Sequence, residues 1–275
     1  NVEFTNTVID FVDIDSDKWQ QYSTRKKWPL NWVYRREAKK LLSFEQKVAE
    51  KFDSSLFVSL AEAEMFKQLC PQSAQKVSFY NNGVDTKYFS PDIDAHNPYQ
   101  STEQVLVFTG AMDYWPNIDA VTWFAKQVFP GLKQRNPDLK FYIVGSKPTD
   151  EVQKLGNSDI IVTGRVPDVR PYLKYAIAAV APMRIARGIQ NKVLEAMAMA
   201  RPTIVTGQAL EGIQAAHRQE VLLGNDEKAL QLLVQQVVDG EHVNIATKAR
   251  DKVISDFSWE DNLPIVGALL EKPTN

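Results

Sequence analysis

Val105-Leu106-Val107-Phe108-Thr109-Gly110 decides the fold. Four consecutive apolar residues stop at a glycine. A strand that is apolar on both faces is buried on both faces, the mark of a parallel sheet. The same phrase recurs downstream: Phe141-Tyr142-Ile143-Val144 ends at Gly145, and Ile160-Ile161-Val162 at Thr163-Gly164. Ala178-Ala179-Val180-Ala181 ends at Pro182, and Thr203-Ile204-Val205 at Thr206-Gly207. Helices are expected between these runs, over 117–128 and 191–199. The alternation predicts one parallel sheet over residues 105–255 with helices on both faces. Its glycine turns fall at the carboxyl ends of the strands, where open α/β sheets bind ligands.

Upstream the pattern is sparser. Thr7 to Val12 reads as a buried strand that runs into an acidic loop, Asp13-Ile14-Asp15-Ser16-Asp17. Residues 32–51 are rich in Glu, Lys, Ala and Leu and predict a helix. Leu56 to Leu60 is a second strand; Ser59 would cap a helix over 61–69, with Glu62 at the capping-box position. Val77 to Tyr80 is a third, stopped by Asn81-Asn82-Gly83. Residues 91–104 are polar, contain Pro91 and Pro98, and read as an interdomain linker. Two domains are therefore expected, over 1–95 and 96–257, with a final helix over 258–271 crossing back to the first.

Composition narrows the function. The 275 residues are 44% hydrophobic and 24% charged, ordinary for a folded chain. Lys+Arg is 32 against 34 Asp+Glu, a net charge of -2, so no overall field draws the chain to nucleic acid. One cysteine, Cys70, excludes an intramolecular disulfide framework and a multi-cysteine metal site. No apolar run approaches the ~20 residues of a membrane span. The turn Gly110-Ala111-Met112-Asp113 is not a G-x-G-x-x-G fingerprint, and Gly145-Ser146-Lys147 has the wrong order and spacing for a P-loop. His96, His217 and His242 are scattered and read as surface residues. A kinase, a simple dehydrogenase and a zinc hydrolase all lose ground.

The stretch that carries chemistry is Arg184-Ile185-Ala186-Arg187-Gly188-Ile189-Gln190-Asn191-Lys192-Val193-Leu194-Glu195-Ala196. It follows a strand and leads into a helix, whose first N–H groups have no intrahelical partner and favour anions. Arg184, Arg187 and Lys192 add positive charge at an end that ordinarily prefers acids. That arrangement is sensible if a diphosphate sits there, with Glu195 taking ribose hydroxyls. The plainer alternative is a Lys192–Glu195 surface pair worth a few tenths of a kcal/mol, ~0.3.

Two further segments give these residues a context. Asn82-Gly83-Val84-Asp85-Thr86-Lys87-Tyr88-Phe89-Ser90-Pro91 resembles the N-G-V-D-x-x-x-F-x-P segment of family 4 retaining glycosyltransferases of the GT-B type. Lys192 to Thr203 resembles that family's donor-site helix and following strand, and Gly164 to Leu173 its base-contacting loop. The subgroup suggested is the sugar transferases of bacterial exopolysaccharide clusters. The resemblance implies an α/β, GT-B fold of two Rossmann-like domains, here with an incomplete amino-terminal domain. It implies transfer of a sugar from a nucleotide-diphospho-sugar to a hydroxyl of a glycan or lipid-linked acceptor, with retention. It also implies a cytoplasmic place, at the inner face of the membrane; no acidic cluster is visible in the donor half, so no metal and no other cofactor is expected, and the net charge leaves no nucleic-acid partner expected.

Carried over by residue, Glu195 matches the second Glu of the family's E-x7-E motif, which binds ribose. Lys192 and Arg184 match basic positions that contact the diphosphate. Gly110 matches the first turn of the donor domain, and Arg165 and Val166 the loop beside the base. Apart from the resemblance, the helix start predicts that Lys192 and Arg184 converge with the backbone of Gly188, Ile189, Gln190 and Asn191 on one anion position. Three departures accompany the match. Arg187 stands where the first Glu of the motif belongs. Ala111, Met112, Pro116 and Asn117 occupy the region where Arg and Lys are usual. The loop that often carries a His has Asp13 and Asp15, which either orient a sugar hydroxyl or merely cap a turn. Before Asn82 only three strands are convincing and the chain opens on Asn1, so half of the acceptor domain is expected to be missing and sugar transfer with it. A non-catalytic nucleotide-sugar-binding protein and a GT-B-type epimerase remain alternatives.

Overall fold

The computed structural model describes residues 6–25, 27–186, 188–242 and 244–271. They fall into two compact units. The first is built from the described residues of 6–83, Gly188–Ile189 and 259–271; the second from 84–186 and the described residues of 190–258.

In the first unit, β1 (Val8–Val12), β2 (Ser54–Phe57) and β3 (Val77–Phe79) form a parallel sheet in that order. β2 is central and buried, whereas β1 is an edge strand that is only partly covered, not the buried strand that its apolar run suggests. The acidic stretch differs from expectation too. Asp15 begins a helix, α1 (Asp15–Arg25), with Asp15 and Asp17 in its first turn. Carboxylates there face unpaired N–H groups, so the acids that resembled a loop are helix starters.

α2 (Leu30–Lys51) packs antiparallel on α1, and buried Glu45 ties the two together. It accepts hydrogen bonds from Ser16 N at 3.0 Å and from Ser16 Oγ at 2.5 Å. α3 (Leu60–Leu69) is capped by Ser59, whose Oγ accepts from Glu62 N at 3.3 Å. The reciprocal half of a capping box is absent, because Glu62 Oε1 accepts from Ile14 N instead. Phe57, Phe66 and Ile14 fill the core beside α3. On the other side Leu56, Val58 and Tyr80 receive Trp259, Val266 and Leu269 of a final helix.

The second unit contains, in order, β4 (Gln104–Thr109), α4 (Trp115–Trp123), a π-turn (Phe124–Val128), α5 (Phe129–Arg135), β5 (Leu139–Val144), α6 (Asp150–Gln153) and β6 (Ile160–Gly164). α7 (Arg170–Tyr175), β7 (Ala178–Ala181), α8 (Asn191–Ala198), β8 (Thr203–Val205), β9 (Leu222–Leu223), α9 (Glu227–Val238) and α10 (Ile245–Asp256) follow. The final helix, α11 (Trp259–Leu270), is the one already placed in the first unit. All six strands are parallel, in the order β6-β5-β4-β7-β8-β9. The chain enters the sheet at β4, winds outward to β6, then returns to the other side of β4 as β7. The strand order therefore reverses between β4 and β7, and a crevice opens at their carboxyl ends.

The units divide between Gly83 and Val84, ahead of the polar stretch 91–104 read as a linker. That stretch is strapped onto the second unit. Phe89 and Ile93 pack on the cluster of Tyr99, Val105 and Leu173. Lys174 Nζ donates to the Ile93 carbonyl, Tyr175 Oη to Ala95 O, and Tyr99 Oη to Tyr172 O at 2.7 Å. Arg250 donates to the carbonyls of Phe89, Thr86 and Ala198. Polar composition here serves side-chain anchoring of an irregular backbone rather than free solvation.

Candidate functional site

The crevice at the switch point has a glycine floor. β4 and β5 end side by side, and the Gly110 and Gly145 backbones touch. A Cβ on Gly145 would lie 1.6 Å from the Gly110 carbonyl oxygen, which no side chain survives. Gly110 N donates to Val144 O at 3.1 Å, Gly145 N to Gly164 O at 3.2 Å, and Met112 N to Ser146 O at 2.8 Å. Three strand ends are thus joined by backbone alone.

α4 and α8 supply the walls. Asn117, on the first turn of α4, is buried, and its Nδ2 donates to Ala111 O at 2.9 Å. A Cβ built on Gly110 would meet Asn117 Nδ2 at 2.7 Å and Lys192 Cε at 3.4 Å, so Gly110, Asn117 and Lys192 converge. Lys192 enters from the first turn of α8, where Gln190 makes no side-chain cap and no acid is present. Its ammonium lies 5.4 Å from the centroid of the Phe108 ring and has one long hydrogen bond, to Gln190 Oε1 at 3.5 Å. Burial pulls the Lys192 ammonium down to about 8, against the opposing pull of Glu195. Burial pushes the Glu195 carboxyl up, with Lys192 opposing. Among the described residues the two make no ion pair within 4.0 Å. The plain surface salt bridge is therefore not what the structure contains.

The other named positions are distributed as follows. Arg184 is held by Asp119: its Nε donates to Oδ2 at 3.0 Å and its terminal nitrogen to Oδ1 at 2.5 Å. Its guanidinium also lies 5.4 Å from the Trp123 ring centroid. Asp119 and Trp123 are four residues apart on α4 and so share a face. The bidentate pairing engages Arg184 with α4. Arg165 is exposed, and Val166 packs on the cluster that includes Tyr99 and Leu173. Ile189 is buried and Asn191 exposed. Arg187 lies outside the described residues.

In the first unit, Gly188 sits at φ 64 beside Asp13; a Cβ on it would be 2.6 Å from Asp13 Oδ1. Burial raises the Asp13 carboxyl, Lys18 lowers it and Asp15 adds to the rise, while a hydrogen bond joins it to Glu62. Asp15 pairs with Lys18 at 3.7 Å in the first turn of α1. Among the described residues no group of three or more His, Cys, Asp or Glu could hold a metal ion. No described helix is long and apolar enough to cross a membrane.

Asp119 was invisible in the sequence, because it acts on Arg184 far along the chain. Asn117 was noted only as standing where Arg or Lys is usual, and its bond to the Ala111 carbonyl has no local signature.

The sequence pattern of glycosyl transferases group 1 matches residues 103–239. No curated protein sequence matches the chain. Several solved structures share its fold. Sucrose-phosphate synthase from Thermosynechococcus elongatus superimposes with a TM-score of 0.73 at 18% identity, over 95% of this chain and 66% of that one. Anabaena HepE in complex with UDP and glucose gives 0.71 at 15% identity, over 96% and 71%. A glycosyltransferase from Rickettsia africae gives 0.69 at 16% identity, over 94% and 81%. The chain spans less than half of another match, TarM, of which it covers 46%. Residues 103–239 thus carry the sequence pattern of glycosyl transferases group 1, on an α/β chain whose fold is that of GT-B glycosyltransferases.

Proposed function

We propose that this chain binds a nucleoside-diphosphate sugar in the crevice of its second unit and serves transfer of that sugar, with retention, to a hydroxyl acceptor. The setting proposed is synthesis of a bacterial exopolysaccharide or cell-surface glycan, on the cytoplasmic side of the membrane. One observation carries this: the partly buried Lys192 converges with Asn117 on the Gly110 turn and has a single long hydrogen bond among the described residues. A half-buried cation with so few partners is well placed to receive an anion.

The chemistry follows from that placement. As the bond between the anomeric carbon and the diphosphate oxygen breaks, negative charge accumulates on the leaving diphosphate and the sugar gains oxocarbenium character. Lys192 and the uncapped start of α8 face that charge and stabilise the transition state more than the ground state. These groups supply the positive charge, so no metal ion is assigned. Glu195, one turn further along α8, is assigned to the ribose hydroxyls. Its raised carboxyl and the lowered Lys192 match a pair held apart to receive a ligand rather than to neutralise each other. Arg184 is assigned to holding α4 through Asp119 and contacts phosphate only if that pair opens. The Anabaena neighbour was solved with UDP and glucose, which makes UDP the first nucleotide to try.

Titration calorimetry with UDP and with uridine tests the reading. UDP should bind far more tightly than uridine, and Lys192→Ala should erase most of the difference. Equal affinity for the two ligands would reject the diphosphate site. Incubation with a labelled UDP-sugar and analysis of the anomeric product then separates transfer with retention from binding alone and from isomerisation of the donor.

A further inference from the structure

A cavity of about 620 Å³ opens at the start of α9, just after β9. β9 lies two strands beyond β7 in the sheet, so this cavity is distinct from the Gly110 turn at the β4–β7 switch point. Its lining has two characters. Trp123 at the end of α4, with Ala229 and Leu232 of α9, gives an apolar wall. Leu232 is 57% exposed. Asn225, Glu227 and Lys228 give a polar rim, and all three are exposed. Asp226 lines the cavity too, but one of its carboxylate oxygens caps α9 by accepting from Ala229 N at 2.9 Å.

The rim has hydrogen-bonding capacity to spare. Asn225 Oδ1 accepts from Gly207 N at 2.7 Å, which fixes the amide and leaves its Nδ2 without a hydrogen bond among the described residues. Among those residues Glu227 and Lys228 form no ion pair. Trp123 is held in place. It is half-buried, and the Arg184 guanidinium lies 5.4 Å from its ring centroid. Asp119, one turn back on α4, grips that same guanidinium. A ring so fixed loses little freedom when a ligand stacks on it.

We propose that this cavity binds a neutral oligosaccharide, a stretch of glycan chain kept away from the reacting end. A pyranose ring has a face of C–H bonds whose positive charge suits the negative face of an indole. Its hydroxyls leave at the rim of that stack, where the Glu227 carboxylate accepts and the Asn225 amide and Lys228 ammonium donate. The volume falls within the roughly 300–1,000 Å³ of small-molecule sites. The charges decide against an anion: Asp226 and Glu227 outnumber Lys228, so a phosphate would meet net negative charge here, unlike at Lys192. A wholly apolar ligand would cover the amide, carboxylate and ammonium without pairing them. Binding of the sugar chain stands whether or not sugar transfer does; only its place relative to the reacting end rests on that reading.

The test is nuclear magnetic resonance of the indole N–H signals of the 275-residue chain, titrated with maltotetraose, cellotetraose and chitotetraose. The chain has six tryptophans, and the Trp123 signal is the one that Trp123→Phe removes. At least one of the three sugars should move that signal saturably, with UDP in excess as well as without it. Trp123→Ala should weaken that sugar by about tenfold, and Trp123→Phe, which keeps a ring, should restore most of the loss. Glu227→Gln, on an exposed residue, should weaken it by about threefold to fivefold with the thermal midpoint unchanged, and it stays informative if Trp123→Ala fails to fold. A Trp123 signal that none of the three sugars moves would overturn the proposal. So would a shift that UDP abolishes, because the sugar would then lie in the crevice. A dimer that Leu232→Ser dissolves would do the same, because a second copy would then cover the cavity.

Discussion

Two basic regions of this molecule use the same side chains in opposite ways. At the start of α8, Lys192 is partly buried, has one long hydrogen bond among the described residues, and is pulled down to about 8 by burial. On the hairpin that α1 and α2 form in the first unit, Lys39 and Lys40 sit in full solvent beside bare tryptophans. Buried charge is costly and therefore sensitive to one ligand in one position. Exposed charge is cheap and screened, and acts only as a sum over many residues. The sequence shows positive charge in both places; the surroundings separate a cation suited to a single anion from charges that act only as a sum.

The contrast can be broken most severely at the glycine floor. Gly145→Ala places a methyl carbon 1.6 Å from the Gly110 carbonyl oxygen, so the strand ends must separate. It should cost roughly 3 kcal/mol or more and abolish nucleotide binding, as read by chemical denaturation and calorimetry. Near-native stability would show that the crevice is looser than its geometry. By the same measure Trp32→Ser, on the exposed hairpin, should move stability by no more than about 0.5 kcal/mol.

Next in size is the buried cation. Lys192→Ala should weaken UDP binding by roughly tenfold to a hundredfold, about 1.4 to 2.8 kcal/mol, while changing uridine binding little. Glu195→Gln should do the reverse, because its assigned partner is the ribose. Smaller again is Arg184→Ala. Its guanidinium is committed to Asp119 near the surface, so UDP affinity should fall by no more than about fivefold, near 1 kcal/mol. A loss as large as that at Lys192 would show that the pair opens onto the diphosphate.

The smallest expected signal sharpens the comparison most. With Lys192 near 8 in the free protein, about half of it is protonated at pH 8. A diphosphate favours the charged form, so binding at pH 8 should take up a fraction of a proton, and the uptake should shrink toward pH 7. Above pH 8 the affinity should fall, since the proton must then be bound at a cost. Calorimetry in buffers of different ionisation enthalpy measures the uptake, and Lys192→Ala should erase it. Hairpin variants should leave it untouched.

The second unit was legible because buried parallel strands such as Val105–Phe108 and Phe141–Val144 are unbroken apolar runs that end at glycine. The first was less so. β1 has an apolar run yet sits at a sheet edge, and Asp15–Arg25 hid a helix behind an acidic start. β9 is only two residues long, and the π-turn at Phe124–Val128 leaves no mark on composition. At the site, Lys192 and Glu195 stood out through spacing and family resemblance. The partners that shape it did not, because Asn117 and Asp119 act across the fold and look like ordinary polar residues on a helix.

The strapped segment after Gly83 bears on how the protein can be cut apart. Composition places the seam near residue 95, and a fragment started at 96 would look natural on paper. Such a fragment would leave bare the face that Phe89 and Ile93 cover. It would also strip Lys174, Tyr175 and Arg250 of carbonyl acceptors at once. A fragment started at Val84 keeps all of these. The modular boundary of this chain is therefore set by who holds the backbone, and the proline-containing stretch is inherited whole by the second unit.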